Sequence, residues 1–279
     1  MRLEGIQSTN PIAVGDRVLF EVDYQGQERE GLIVQIEERK NYIVRKSVNL
    51  SKQTHIIASN IDQVFLMITL NNPPTFPAFI DRFLVTAEAY QIPAILLFNK
   101  MDSYSEEEKK EIRNLKKIYE RIGYSSFEIS AKEGLNIMKL KELMYNKVGM
   151  ISGHSGVGKS TLINTISPGL NIQTSAISEL HKQGTHTTTF AEMHTLSDGI
   201  KIIDTPGIKG FGVVDMEPLE IGSYFPEFLI HKEDCKFHNC LHQKEPKCAI
   251  VKGVEQGTIA KSRYESYLQM ITEDNPYRN

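Results

Sequence analysis

The sequence predicts a multi-domain α/β protein: a small antiparallel β-barrel first, then a central domain on a mainly parallel sheet, then a helical segment holding every cysteine. Three observations predict it. Short β-type runs separated by Gly and Asn fill residues 1–60, the spacing of a small barrel or sandwich. From Ile61 to Met216, apolar strand-like runs alternate with helical patterns, which is how βαβ units read. All three cysteines then fall between Cys235 and Cys248. A chain of 279 residues holds two or three small domains, and the expected boundaries are 1–60, 61–216 and 217–279.

Taken in order, DRVLFEVDYQ, REGLIVQIEER and NYIVRKSVN are the barrel strands. Between Arg39 and Ile61 stand five basic residues (Arg39, Lys40, Arg45, Lys46 and Lys52) and no acid. Composition alone fits a solvated loop face, although small OB-like barrels with a basic loop also bind oligonucleotides. VFLMITL reads as a buried strand, and FPAFIDRFLVTAEAY follows with Ile80, Phe83, Leu84 and Ala87 at helical spacing. AILLF is the next strand and runs directly into NKMD. SEEEKKEIRNLKKIYERIG is amphipathic through Ile112, Leu115, Ile118 and Ile122, with acids in its first turn. SSFEIS leads into SAK, NIMKLKELMYN is a further helix, KVGMIS a strand and KSTLINTI a helix. GIKIIDTPG is a strand ending in an aspartate, and EQGTIAKSRYESYLQMITED is a polar helical tail.

The net charge of −3 argues against wholesale electrostatic binding to nucleic acid but leaves room for a local basic patch. No apolar run reaches the length of a membrane span, and the first residues lack an apolar signal core. The expectation is a cytoplasmic protein with no membrane partner, and nothing in the sequence demands more than a monomer. Three cysteines in so short a window suit a metal site better than a disulfide framework.

The stretch Gly153-His154-Ser155-Gly156-Val157-Gly158-Lys159-Ser160-Thr161 matches a Walker A loop between a strand and a helix. Its glycines let backbone N–H groups converge on the β-phosphate, aided by the helix N-terminus. Lys159 would reach the β- and γ-phosphates, and the Ser160 hydroxyl would bind Mg²⁺. Asp204-Thr205-Pro206-Gly207 closes a second apolar strand, placing Asp204 towards Mg²⁺ and the Gly207 N–H towards the γ-phosphate.

Asn99-Lys100-Met101-Asp102 chooses the base. The Asp102 carboxylate can accept both the ring N1–H and the 2-amino group of guanine, whereas adenine would set lone pair against lone pair. Asn99 would brace the pocket and the Lys100 stem could lie over the base. Ser130-Ala131-Lys132 would offer the Ala131 N–H to guanine O6. In the usual order these two motifs follow the phosphate loop; here they precede it. Position within a sheet does not depend on where the chain is cut, so the set fits a circularly permuted GTPase domain.

Cys235-x4-Cys240-x-His242-x5-Cys248 supplies a Cys₃His set suited to tetrahedral zinc in a closed, structural site. On spacing alone His238 competes with His242.

The order NKMD, SAK, GHSGVGKST, THTTT and DTPG, with ASNIDQVFLMITL and the cysteine-rich tail, resembles the bacterial ribosome small subunit-dependent GTPase A family over nearly the whole chain. The resemblance implies the small ribosomal subunit and its rRNA as partners, GTP and GDP as ligands, and His242 as the zinc ligand. Gly184 to Thr189 lies where a mobile switch should be, and one of Thr187 and Thr188 would complete the Mg²⁺ shell. The family usually carries arginine before this histidine, where this chain has Thr185, which removes any phosphate contact that arginine would make. After DTPG, where many GTPases place a water-orienting glutamine, stands Ile208. Intrinsic hydrolysis should therefore be slow, with His186 the candidate that completes the site; folding a polar loop is its other reading. A GTPase acting on a protein effector, or an RNA-binding protein with an inert nucleotide site, are the competing functions, the last opposed by intact Lys159, Ser160 and Asp204.

Overall fold

The structure, a computed structural model, describes residues 12–23, 30–46, 54–170, 191–196, 199–204 and 216–272. At the N-terminal end, β1 (Val18–Asp23) pairs antiparallel with β2 (Glu30–Ile36), and β3 (Tyr42–Lys46) with β4 (Thr54–Ser59). Each of the three expected barrel runs contains a strand among the described residues. β4 is an addition: it lies inside the basic stretch that composition reads as a loop, and it is ordered there because Ile56 and Ala58 alternate into the core. The connections at 24–29 and 47–53, and Lys52 with them, lie outside the described residues.

This part is tied down by Asp16, whose side chain is 1% exposed. Its carboxylate accepts from Arg39 Nε and Nη2 (both 2.7 Å), Ser59 Oγ (2.6 Å) and the Ala13 N–H (2.8 Å). Burial alone would raise its pKa, but the hydrogen bonds from Arg39, Ser59 and Ala13 prevail and hold it below the ordinary carboxylate value.

Among the described residues the central sheet has six strands. β5 (Gln63–Ile68), β6 (Ala94–Phe98), β7 (Ser125–Glu128), β8 (Val148–Ser152) and β10 (Lys201–Asp204) are joined by parallel pairings, and β9 (Glu192–Thr195) is antiparallel at one edge. The order is β7-β6-β5-β8-β10-β9. From β5 the chain passes through α1 (Pro77–Ala89) to β6, then α2 (Glu106–Arg121) to β7. It returns through α3 (Ile137–Met144) to β8 on the other side of β5, and leaves β8 through α4 (Lys159–Ile166). Winding therefore reverses between β5 and β8, where ligands bind at the carboxyl ends of strands in open α/β sheets.

The pleat explains how one apolar run serves two cores. Val64, Leu66 and Ile68 of β5 pack with Phe83 and Leu84 of α1 and Ile112 and Tyr119 of α2. Phe65 and Met67 face the other way, towards Ile137 and Leu140 of α3 and Leu162 and Ile163 of α4. α2 starts at a capping box, with Ser105 and Glu108 each accepting the other's backbone N–H.

The C-terminal part comprises α5 (Pro218–Gly222), α6 (Pro226–His231), a 3₁₀ turn at Lys232–Asp234, α7 (Ala249–Glu255) and α8 (Lys261–Thr272). Its core of Ile221, Phe225, Phe228, Ile250, Ile259 and Tyr267 takes in Val85 of α1. Among the described residues, no helix is long and apolar enough to cross a membrane.

Candidate guanine-nucleotide site and metal centre

Three loops leave the carboxyl ends of β6, β7 and β8 and meet. Asn99, 2% exposed, binds two of them together: its Nδ2 donates to the Val157 carbonyl of the phosphate loop (2.8 Å), and its Oδ1 accepts the Ala131 N–H (2.9 Å). Ser130 Oγ donates to Asp102 Oδ1 at 2.5 Å and accepts the Glu133 N–H at 3.0 Å. Asp102 Oδ2 takes no hydrogen bond among the described residues. Lys100 sits in the left-handed region at φ 68° with its ammonium on the Asn72 carbonyl. Burial lowers its pKa, and Asp102 partly opposes that. These residues open on a cavity of about 300 Å³ lined by Asn99, Lys100, Asp102, Ala131, Lys132 and Thr161, of the size small-molecule ligands occupy.

The phosphate loop takes its shape from backbone that side chains would obstruct. Gly158, at φ 102°, ends the loop and starts α4, and a Cβ there would fall 2.6 Å from Asn99 Nδ2. At Gly153, φ 146°, a Cβ would lie 2.8 Å from the Met67 carbonyl oxygen of β5. Lys159 Nζ curls back onto the Gly153 and His154 carbonyls (2.6 and 2.8 Å). His154 packs against Phe79 of α1, ring centroids 4.0 Å apart with the planes tilted by 32°. Burial first, and Lys159 second, push its imidazole pKa down. Ser160 and Thr161 occupy the first turn of α4.

Asp204 ends β10 in parallel register with Ile151 of β8, which carries the chain's backbone to the mouth of the phosphate loop. Its side chain, and the positions Thr185, His186, Thr187, Thr188, Gly207 and Ile208, lie outside the described residues. So do the side chains of Arg45 and Lys46.

In the C-terminal part the ligand atoms of Cys235, Cys240, His242 and Cys248 all lie within 4.8 Å of one another. His242 Nδ1 is 3.7 Å from Cys235 Sγ and 3.4 Å from Cys248 Sγ. A tetrahedral ion with bonds of about 2.3 Å to sulfur and 2.0 Å to nitrogen requires edges of roughly 3.5–3.8 Å; the two His242–sulfur edges are close to that, and the four residues could hold one metal ion. His238 is exposed and outside the cluster. Burial pushes the Cys240 thiol up to about 12 and raises Cys248 as well, so a cation has to displace the protons. The loop is shaped around Glu245, whose carboxylate accepts the N–H groups of Leu241 (2.6 Å), Gln243 (2.8 Å) and Lys244 (3.0 Å). Tyr264 and Tyr267 of α8 donate to the His242 and Leu241 carbonyls.

Fold and site together define a class: a P-loop GTPase domain whose base-selecting loops precede its phosphate loop, a circular permutation. The family pattern described as RsgA GTPase matches residues 36–214, and the chain belongs to that family of GTP hydrolases. A Christiangramia forsetii protein called small ribosomal subunit biogenesis GTPase RsgA is 64% identical over 278 residues, spanning 99% of this chain and 88% of that one. A Flavobacterium johnsoniae protein of the same name is 60% identical over 276 residues, covering 99% and 85%. Among solved structures, YjeQ from Thermotoga maritima superposes with a TM-score of 0.77 at 37% identity, over 93% of this chain and 83% of that one. YloQ, described as a circularly permuted GTPase, gives 0.71 at 30% identity, over 96% and 83%.

The motif residues of the base and phosphate loops that are described are thus brought together. Sequence reasoning missed the residues that hold them: Phe79 against His154, Thr165 against the Ala131 carbonyl (2.7 Å), and Glu245 inside the metal loop. None carries a motif of its own. A cluster of loop N–H groups needing an acceptor is the one signal that could have pointed to Glu245.

Proposed function

We propose that this chain is a GTP-driven switch that binds the small ribosomal subunit late in its maturation, hydrolysing GTP slowly alone and faster on the subunit. The observation that carries the reading is the joining of Asp102, Ser130 and Ala131 to the phosphate loop through Asn99, a constellation suited to guanine nucleotide. The names of the relatives supply the partner. In this reading residues 1–60 form an OB-like RNA-binding domain, 61–216 the GTPase domain and 217–279 a helical zinc domain. Asn99, Lys100, Asp102, Ser130 to Lys132, Gly153 to Thr161, Asp204 and Gly207 hold GTP. Ser160, Asp204 and Thr187 or Thr188 hold Mg²⁺, which when bound offsets the charge developing on the phosphates. Lys159 steadies that charge directly, and His186 orients the attacking water. Zinc, matched to three sulfurs and one imidazole, stabilises the C-terminal fold.

Among the basic residues proposed to meet RNA, Arg39 is also engaged by buried Asp16 and so helps hold the N-terminal fold. Lys40 pairs with Asp62 at 3.1 Å yet is 65% exposed, and in this reading it serves the RNA contact together with Arg45, Lys46 and Lys52. The protein acts as a cytoplasmic monomer with no membrane partner.

The experiment is GTP turnover alone and with small subunits, large subunits or bulk RNA, at two salt concentrations. Stimulation by small subunits only, weakened by salt, is expected, and His186→Ala should lose it while keeping GTP affinity. Tight GTP binding with no stimulation would instead indicate a protein effector.

A further inference from the structure

We propose that Thr165 is a positioning residue for guanine recognition: its hydroxyl fixes the Ala131–Lys132 peptide so that the backbone N–H groups of this loop meet guanine O6. The proposal rests on the assignment of Asn99–Asp102 and Ser130–Lys132 as the base site.

Thr165 projects from α4, the helix that opens with Lys159 and Ser160. Its Oγ1 lies 2.7 Å from the Ala131 carbonyl oxygen and 2.9 Å from the Thr161 carbonyl oxygen. A hydroxyl has one proton to donate. Back-bonding to the residue four earlier is the ordinary fate of a helical threonine. Here the shorter contact crosses instead to a loop 34 residues away in sequence.

That contact completes a clamp. The Ala131 N–H is already held by Asn99 Oδ1 at 2.9 Å. With the carbonyl held by Thr165, both peptide units flanking the Ala131 Cα are fixed, one from the base-selecting loop and one from the phosphate-loop helix. In a trans peptide the C=O and the following N–H point in opposite directions. Fixing the Ala131 carbonyl therefore also sets the Lys132 N–H, which takes no partner among the described residues. Ala131 and Lys132 both line the base cavity with Asp102. An oxygen acceptor such as O6 can share the Ala131 N–H with Asn99 and take the Lys132 N–H outright. Thr165 thus ties base recognition to the element that grips the phosphates.

The test measures affinities of the full chain for GDP, inosine diphosphate and 6-thioguanosine diphosphate, by displacement of a fluorescent nucleotide. Inosine lacks the 2-amino group read by Asp102; the thio analogue keeps it but replaces O6 with a weak acceptor. Wild type should prefer GDP to both. Thr165→Val should weaken GDP about three- to tenfold and 6-thio-GDP much less, so that preference shrinks. The ratio of GDP to inosine diphosphate should hold, because both carry O6. Thr165→Ser should restore wild-type values. Thr165→Val affinities that match wild type, or that fall equally for all three nucleotides, would overturn the proposal; should that variant not fold, Thr165→Ala is read the same way. A wild-type chain indifferent to the 2-amino group would overturn the base-site assignment itself.

Discussion

At the scale of single residues, Asp102 is the side chain proposed to read the base, and Ser130 fixes how it is presented. The Ser130 hydroxyl occupies Oδ1 and is itself held by the Glu133 N–H, so the carboxylate cannot rotate away without losing the bond from an anchored hydroxyl. Lys100 holds a left-handed backbone between Asn99 and Asp102, a strained conformation of the sort that persists where surrounding bonds enforce it. Asp102→Asn replaces one carboxylate oxygen with an N–H₂ group. Donor would then face the donor 2-amino group of guanine, whereas the 2-oxo group of xanthine would accept. GTP affinity is expected to fall about a hundredfold or more, with xanthosine triphosphate becoming the better competitor in a displacement assay. A variant that still preferred GTP would remove Asp102 from the base site.

At the scale of elements, the metal loop shows how one side chain can organise a segment too short for regular structure. Glu245 accepts three backbone N–H groups and thereby sets the turn that presents His242 at φ 56° between Cys240 and Cys248. Burial would raise its pKa, but the hydrogen bonds of the loop's own N–H groups prevail and lower it, so the carboxylate stays charged. Glu245→Gln puts an amide donor against those N–H groups. Metal retention is expected to drop about tenfold, as for other partners that orient ligands, measured by competition with a chromophoric chelator; unchanged retention would mean that the loop is set by Tyr264 and Tyr267 alone. The elements themselves were readable to very different degrees. β5, β6, β8 and the helices between them announced themselves because burial on both faces writes long apolar runs, and helical burial writes a period. β4 and β9 were not read: THIIAS sits among basic residues, and EMHT, at a sheet edge, has little apolar character to repeat. The same division holds for the site. Asn99, Asp102, Lys159 and the cysteines are the residue types a ligand's chemistry calls for and so read as motifs, whereas Thr165 acts through a hydrogen bond and Phe79 through a ring contact that only the folded chain creates.

At the scale of the whole molecule, α1 is shared property. Phe79 in its first turn meets His154 of the phosphate loop, Val85 enters the C-terminal core, and Asp81 receives Arg263 from α8 at 2.8 Å. Arg263 also grips Glu227 of α6 through Nε (2.7 Å) and Nη2 (3.1 Å), lies 4.5 Å above the Phe225 ring, and shares Asp81 with the Tyr119 hydroxyl. The three charged side chains are 0–4% exposed. Burial raises the pKa of Asp81, against the opposing pull of Arg263. Burial alone would lower that of Arg263, but Asp81 and Glu227 raise it, so the guanidinium charge is what keeps the pair of acids tolerable. Arg263→Met would strand two carboxylates in an apolar joint, and a loss of about 3–5 kcal/mol is expected in denaturant unfolding, with exchange protection falling first in α8. The combined variant Arg263→Met, Asp81→Leu, Glu227→Leu should regain most of that loss, because no charge is then left without a partner. A single Arg263→Met variant as stable as wild type would show that the two acids find other protons or water, and that the joint is held by the apolar core around Val85, Phe225 and Tyr267.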